Sequence, residues 1–504
     1  MLHYESSESS VARGEDLAWE GVPPGSNGSD VLKQRLAQLG DADWMKRILQ
    51  AAMEQLAGAP VSVDAYAIEY CKVKPRRHIN AAINLKLRRS GAAESLEHRI
   101  SCTICSSADA AQAKFREETK LPVPEHGLRR PEAAGFHRLT TYLPEMAMVV
   151  RLFPVDPALV GLGLATDASC MADLLRRYLP DCRDGWRPKE IGYEALHYKP
   201  GRSCTLCYRL TLEHPASIDV RTRQVFAKLY RDDRGTQCYG LLNAAWQASD
   251  RSEGAWRAAR PVAHVPDWRL FLQEAVPGKQ FRHLFAELTH DGAGAAELQE
   301  VERHLSAIAL ALRSLQRCGV ELGPRRRFAE LLSDQEKNLA YLSQFHEGLA
   351  SRIDRVRAEL ACRAQEIPEA PLSFAHCDLA HGNVLIGDDG GVGIIDFDRA
   401  GQAEGAYDAA YFLTHLWSFA IRHPRRRAQI RKLCDWFRSQ YLGLAPEVSH
   451  ARLMLYEALD FVAYVLRNFR KQSHQPPWID WAAQQIEAAE ERLGRLSGPE
   501  GALP

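Results

Sequence analysis

Between Ser373 and Ala410 the chain reads SFAHCDLAHGNVLIGDDGGVGIIDFDRAGQAEGAYDAA. His376 and Asp378 are followed by Asn383 and then by a short apolar run, Val384 to Ile386. A Gly/Asp-rich turn and a second apolar run, Val392 to Ile395, lead into Asp396-Phe397-Asp398. Two apolar runs joined by a GDDGG turn predict a β-hairpin whose ends bring Asp378, Asn383 and Asp396 together. That set suits phosphoryl transfer. One carboxylate can orient an attacking hydroxyl and accept its proton, while an amide and a second carboxylate offer hard oxygen ligands to Mg²⁺ on the phosphates. A metal hydrolase built on His376, Asp378 and His381 fits less well, because the three share one loop and lack the helical spacing of an HExxH site.

The segment resembles the aminoglycoside phosphotransferase and choline kinase superfamily, small-molecule kinases with a protein-kinase-like fold. The resemblance is carried by His376-x-Asp378-x-x-x-x-Asn383, by Ile395-Asp396-Phe397-Asp398, and by Ala406-Tyr407-Asp408-x-Ala410. It implies that Asp378 is the catalytic base, that Asn383 and Asp396 are metal ligands, and that His376 props the loop. It further implies a supporting or auxiliary metal role for Asp398 and a structural role for Asp408 at the wall of the site. ATP or GTP, with Mg²⁺, is the implied cofactor pair.

Such a site needs a rigidly held cation on the nucleotide phosphates. Val225-Phe226-Ala227-Lys228-Leu229-Tyr230 supplies one lysine in an apolar strand, about 150 residues before Asp378. Leu270 to Gly278 (LFLQEAVPG) resembles the family's strand-to-hinge segment, with backbone groups from Gln273 and Glu274 to Val276 expected to meet the base. Two departures stand out. The phosphate-covering loop, KPGRSCTL, has Gly201 alone and no GxGxxG, so Arg202 is expected to assist there. The helix after Lys228 offers no glutamate to pair with that lysine, only Gln237 or Asn243, or Glu253 if the helix runs further. Both departures favour the rival reading of a non-catalytic nucleotide-binding or scaffold protein; the joint presence of Asp378, Asn383 and Asp396 opposes it.

These groups must be held by lobes, and the chain is long enough to build them. Its 504 residues make two or three domains of the usual ~100–200 residues. Strand-like runs dominate the first half (AYAIEYCKV, INAAINLKL, HRISCTIC; then IGYEALHY, LCYRLTL, RQVFAKLY), and long helical patterns follow Phe285. The expected class is α+β, a two-lobed protein-kinase-like fold with a strand-rich amino lobe and a helix-rich carboxyl lobe. An offset of 125 lays residues 69–112 on 194–237 without a gap, with seven identities in 44 columns against a chance expectation of about two or three. Among them are Lys74/Lys199, Pro75/Pro200 and Arg77/Arg202, and Lys228 falls on Thr103. The front of the chain is therefore expected to be a degenerate, lysine-less amino-lobe-like module, suited to packing, dimerising or shaping substrate access. The expected divisions are a mobile segment over 1–40, the degenerate module over 41–165, the nucleotide-binding amino lobe over 181–284 and the carboxyl lobe over 285–504.

Lysine plus arginine and aspartate plus glutamate both number 64, so no global field draws the chain onto nucleic acid or an anionic membrane. No apolar run reaches the ~18 residues of a membrane helix, and the N-terminal residues show neither a basic start nor an apolar stretch, which makes a cytoplasmic protein the expectation. Twelve scattered cysteines suit a reducing compartment. Cys102/Cys105 and Cys204/Cys207 have CxxC spacing, but in strands residues three apart face opposite ways, so buried cysteine is favoured over zinc. The basic clusters at Pro324 to Arg327 and Arg422 to Lys432 are expected to be solvated faces, with an anionic substrate site as the alternative. The expected partner is a small hydroxylated acceptor, with the carboxyl-terminal helices as its pocket.

Overall fold

The structure, a computed structural model, describes residues 28–74, 77–91, 93–120, 135–216, 218–472, 475 and 477–496. Helical structure begins at Gly28, earlier than the expected mobile segment over 1–40 allows; residues 1–27 lie outside the described residues. Helix α1 (Gly28–Gly40) and helix α2 (Ala42–Ala57) bury Leu32, Leu36, Leu39, Met45, Leu49, Met53 and Leu56. The three-to-four spacing of these residues makes one apolar face on each helix. Asp41 caps α2, its side chain accepting from Trp44 N at 2.9 Å, and Gly58 ends it at φ 65°.

The apolar faces of α1 and α2 cover a five-stranded antiparallel sheet. It is built from β1 (Val61–Lys74), β2 (His78–Arg89), β3 (Leu96–Cys105), β4 (Thr140–Leu143) and β5 (Met148–Leu152) in the order β1-β2-β3-β5-β4, with helix α3 (Ala108–Thr119) after β3. After helix α4 (Ala168–Tyr178) the same arrangement recurs. Strands β6 (Arg187–Lys199), β7 (Ser203–Glu213), β8 (Val220–Tyr230), β9 (Pro261–Val265) and β10 (Leu270–Glu274) take the order β6-β7-β8-β10-β9, with helix α5 (Arg234–Asp250) after β8.

The register repeats as well as the order. Asn80 pairs with Thr103 in the first sheet and Thr205 with Lys228 in the second, each at the offset of 125. The bulge between Val63 and Ala65 returns between Pro188 and Glu190. Ala147 and Arg269, each closing the short turn before the last strand, share φ 49° and ψ 43°. A degenerate amino-lobe-like module thus precedes the amino lobe proper. Sequence reasoning missed β4 and β5, whose four and five residues are too short to show alternation.

The carboxyl lobe is helical: α6 (Ala295–Gln316), α7 (Glu336–Leu342), α8 (Glu347–Glu366), α9 (Gly405–Arg422), α10 (Arg427–Leu444), α11 (His450–Gln472) and α12 (Trp478–Leu496). Within the long helical patterns expected after Phe285, the stretch from Phe328 divides into Phe328–Ser333, α7 and α8. Arg325–Arg326 form a two-residue strand instead of a helix face. A large shared core joins α5 to the carboxyl-lobe helices, with the rings of Phe281, Phe285, Phe412 and Phe437 in contact among them. Strand β1 of the front module lies against α11, where Arg470 Nε donates to Val73 O at 2.9 Å. No described helix is long and apolar enough to cross a membrane.

Candidate active site

The predicted hairpin is present. Val384–Ile386 pairs with Val392–Ile394, closed by Gly387 N donating to Gly391 O at 2.9 Å. Asn383 and Ile395, just outside the ladder, are joined by Ile395 N donating to Asn383 O at 3.0 Å, so Asn383 sits beside Asp396. The preceding loop turns sharply at Cys377, φ 57°. Asp408, fully buried near the start of α9, accepts from His376 N at 2.7 Å and Cys377 N at 2.8 Å and so fixes the turn. Burial raises the Asp408 carboxyl above the usual range, with the nearby histidine and the two amides acting in the opposite direction. His376 is equally buried, its Nε2–H donating to Ile395 O at 2.9 Å and its ring 4.9 Å from that of Phe397. Both residues are fully buried and hold the loop through these hydrogen bonds.

Asp378 emerges from this turn. Its backbone carbonyl accepts from Asn383 Nδ2 at 2.8 Å and Ala380 N at 2.7 Å. Its carboxylate accepts a short hydrogen bond from the Tyr411 hydroxyl and lies 3.7 Å from Arg399 Nη1. Neither Tyr411 nor Arg399 was read from the sequence. Tyr411, three residues after Asp408 on α9, was within reach of helical-periodicity reasoning.

Lys228 reaches the same place from the other lobe. Its ammonium donates to Asp396 Oδ1 at 2.5 Å and to Asp398 Oδ1 at 2.7 Å. Tyr230, two residues along β8 on the same face, donates to Asp398 Oδ2 at 2.5 Å. Burial opposes the charge on Lys228, but the two carboxylates outweigh it and hold the lysine above its ordinary range. Asp396 also resists burial, and Lys228 brings it well below the carboxylate range. Asp398 is pushed up by burial, with Asp396 adding to the effect against the pull of Lys228. The expected helix partners do not take part: Gln237 is exposed, Cys238 takes the inward position and donates to Asp398 O at 3.7 Å, and Glu253 lies beyond the end of α5. Asp398 thus supplies the carboxylate that the helix lacks.

The nucleotide-side expectations fare unevenly. Gln273 is buried in β10, opposite Phe226. Glu274 N donates to Arg260 O at 2.9 Å and its carboxyl, raised by burial, faces Arg260 at 3.9 Å, so that amide is already engaged. Val276 packs so closely on the hairpin that a Cβ on Gly393 would lie 2.5 Å from it. Gly201, φ 65°, donates its N–H to Asp156 Oδ2 at 2.7 Å, an acceptor in the segment after β5, so this amide is engaged by the protein itself. Arg202 faces a cleft lined by other basic residues. The clusters noted in the sequence are paired locally: Arg426 with Asp291 at 2.9 Å, Arg431 with Glu491 at 3.0 Å and Arg327 with Glu369 at 2.6 Å. The CxxC cysteines are free and buried.

As a metal site the donors fit Mg²⁺. Asp396 and Asp398 already converge on one positive charge, and the Asn383 amide stands beside them, an all-oxygen set. Among the described residues no three His, Cys, Asp or Glu side chains form a cage of their own. Mg²⁺ is ordinarily held by one or two carboxylates together with phosphates.

Residues 243–444 match the phosphotransferase enzyme family. No curated protein matches the chain significantly. Among solved structures, choline kinase LicA from Streptococcus pneumoniae is 12% identical, over 65% of this chain and 98% of that one, with a TM-score of 0.41. A choline/ethanolamine kinase family protein from Mesorhizobium loti is 12% identical over 66% of this chain and 96% of that one, TM-score 0.41. ADP-bound aminoglycoside phosphotransferase APH(2'')-Ib is 12% identical over 65% and 99%, TM-score 0.41. The matched segment holds Asp378, Asn383, Asp396 and Asp398, the residues on which the motif resemblance rests, while Lys228 lies before it.

Proposed function

We propose that the protein is an ATP- or GTP-dependent, Mg²⁺-requiring phosphotransferase acting on a hydroxyl of a small molecule. The observation that carries this reading is the meeting of Lys228, Asp396 and Asp398 beside an Asp378 carboxylate braced by Tyr411 and Arg399. Lys228 binds the nucleotide phosphates when they enter between it and its two carboxylates. Asp378 accepts a hydrogen bond from the acceptor hydroxyl, aims its oxygen at the terminal phosphorus and takes the proton as the new O–P bond forms and the nucleoside diphosphate leaves. Tyr411 and Arg399 keep that carboxylate from turning away. Asn383 and Asp396, with Asp398 in support, would hold Mg²⁺, which when bound would supply positive charge against the phosphates.

Acceptor contacts are assigned to α9 and α11, which flank Asp378. The engaged amide of Gly201 favours a second reading, a nucleotide binder without turnover. A nucleotide-consumption screen over hydroxylated small molecules separates the two. General-base catalysis contributes ~10²–10⁴-fold, so Asp378→Asn is expected to lower acceptor-dependent consumption by that order with nucleotide binding retained. Undiminished turnover refutes the assignment. Nucleotide binding with silence across the panel selects the second reading.

A further inference from the structure

A cleft of ≈ 420 Å³ opens where the front module meets both kinase-like lobes. Its cations come from five pieces of the fold: Lys72 and Lys74 at the end of β1 with Arg77 in the turn that follows, Arg202 in the β6–β7 turn, Arg231 and Arg234 between β8 and the start of α5, Lys337 on α7 and Arg470 on α11; of these, Arg231 and Arg234 are paired with Asp232. Among the described residues no carboxylate lines it. Lys72, Lys74, Arg77, Arg202 and Lys337 have no ion pair or side-chain hydrogen bond among the described residues. Arg470 is fixed, donating to Val73 O and, at 3.3 Å, to Asn338 Oδ1, with its guanidinium 5.3 Å from the Tyr341 ring. Asn80, 9% exposed at the cleft wall, donates to Pro200 O at 3.4 Å and leaves its Oδ1 buried without a partner.

Uncompensated cations drawn this close repel one another. Burial, then Arg202, Arg470, Lys471 and Lys74, bring Lys72 down to about 7. Burial and Arg231, Arg470, Lys114 and Arg77 also lower Lys74. A fold that accepts this repulsion is built to have it relieved by an anion. Arg470 in the cleft wall is followed on α11 by Lys471, whose charge interacts with that of Asp378. Lys471, next to Arg470, is lowered to about 8 by burial and by Lys199, feels the opposing charge of Asp378, and is repelled by Arg202 as well. A single phosphate carries about two charges at neutral pH, too few for five unpaired cations. The concave shape suits a small molecule, whereas a nucleic-acid surface runs as an open stripe.

We infer that the cleft binds the phosphate groups of a multiply phosphorylated small molecule and, resting on the proposed kinase activity, that this molecule is the acceptor. Its phosphates would lie on Lys72, Arg77, Arg202, Lys337 and Arg470 while a hydroxyl at its other end reaches Asp378.

The test titrates inorganic pyrophosphate into the full chain by calorimetry, for wild type, for Lys72→Met/Lys337→Met and for Lys228→Met. Wild type and Lys228→Met are expected to bind, and the cleft variant to bind at least tenfold more weakly. No binding by wild type, equal binding by the cleft variant, or binding abolished in Lys228→Met overturns the inference. A second arm offers phosphorylated sugars and polyols, and their unphosphorylated and amino counterparts, as acceptors. Transfer to the phosphorylated set, with KM raised at least tenfold and kcat kept in the cleft variant, supports the acceptor role, and transfer confined to the amino compounds overturns it. Pyrophosphate binding has no catalytic readout, so a chain that binds it in the cleft yet consumes no nucleotide upholds the cleft and refutes the kinase reading.

Discussion

Lys228 Nζ and Asp398 Oδ1 stand 2.7 Å apart across the two lobes, with the Tyr230 hydroxyl on the other oxygen of the same carboxylate. A lysine that would otherwise be oriented by a glutamate on the following helix is oriented here by a residue two places beyond Asp396. Replacing Asp398 by Asn keeps the shape and removes the charge-assisted bond, a loss of about 1–2 kcal/mol. The Michaelis constant for nucleotide is expected to rise about 5–30-fold. Measuring nucleotide dependence in Asp398→Asn checks this; an unchanged constant would leave Asp396 as the sole partner of the lysine.

The same cluster sets an acid limit. Asp396 is held below its unfolded-state pKa by Lys228, so its contribution is complete above about pH 4 and disappears as the pH falls through the folded value. The melting temperature of wild type is expected to fall more steeply between about pH 5 and 3 than that of Lys228→Met. Parallel curves would show that the pair does not govern acid stability.

A second window lies at the alkaline end. Lys72, pushed to about 7 by burial and by Arg202, Arg470, Lys471 and Lys74, is deprotonated in the folded chain before it is in the unfolded one. From pH ~7 to ~10 the unfolded chain binds more protons, and stability rises with pH. Lys72→Met should flatten this rise and be more stable than wild type at pH 6. Thermal melts of both proteins across that range are decisive.

Asp408 anchors the catalytic turn through two backbone amides. Asp408→Ala strands both inside the protein at about 1–3 kcal/mol each. Loss of about 2–6 kcal/mol of stability is expected, with turnover falling further than the folded fraction does because Asp378 loses its position. Denaturant unfolding and kcat measured on the same preparation separate the two effects.

Glu404, at the start of α9, is fully buried with Arg452 of α11, whose nitrogens lie 2.5 and 2.7 Å from its oxygens, while Tyr456 OH and Ala370 N each donate at 2.9 Å. Removing one member of such a pair typically costs about 3–5 kcal/mol. Glu404→Ala is expected to lie at that level in equilibrium unfolding, a value near zero being incompatible with the geometry.

The parts of the site legible in the sequence were those written locally. Asp378, Asn383 and Asp396 are set by one loop and one hairpin, so their spacing carries their arrangement. Lys228 was legible because a strand leaves few ways to place its side chain. Its union with Asp398 was not, since the two are separated by 170 residues and meet only once the lobes pack. The basic cleft was invisible for the same reason: Lys72, Arg202, Lys337 and Arg470 belong to no common run, whereas the runs that did look basic, around Arg327 and Arg426, are neutralised by Glu369 and Asp291. The duplicated sheet showed itself through its hairpins, which hold register at a constant offset. Its last two strands, four and five residues long, were too short to show alternation, and across the helix the offset shifts from 125 to 122, as the matched turns at Ala147 and Arg269 show.

Asp156 belongs to the segment after the front module's last strand, yet it accepts from Gly201 N in the β6–β7 turn that lines the basic cleft and from the Tyr198 hydroxyl at the end of β6. A glycine turn left loose must be immobilised each time a ligand arrives, and that ordering subtracts from affinity. Here the turn is splinted as the chain folds, and the entropy is lost once per molecule instead of once per encounter. The duplicated front of the chain is therefore no detachable passenger: cutting it away would remove the acceptor that holds Gly201 N and the Tyr198 hydroxyl.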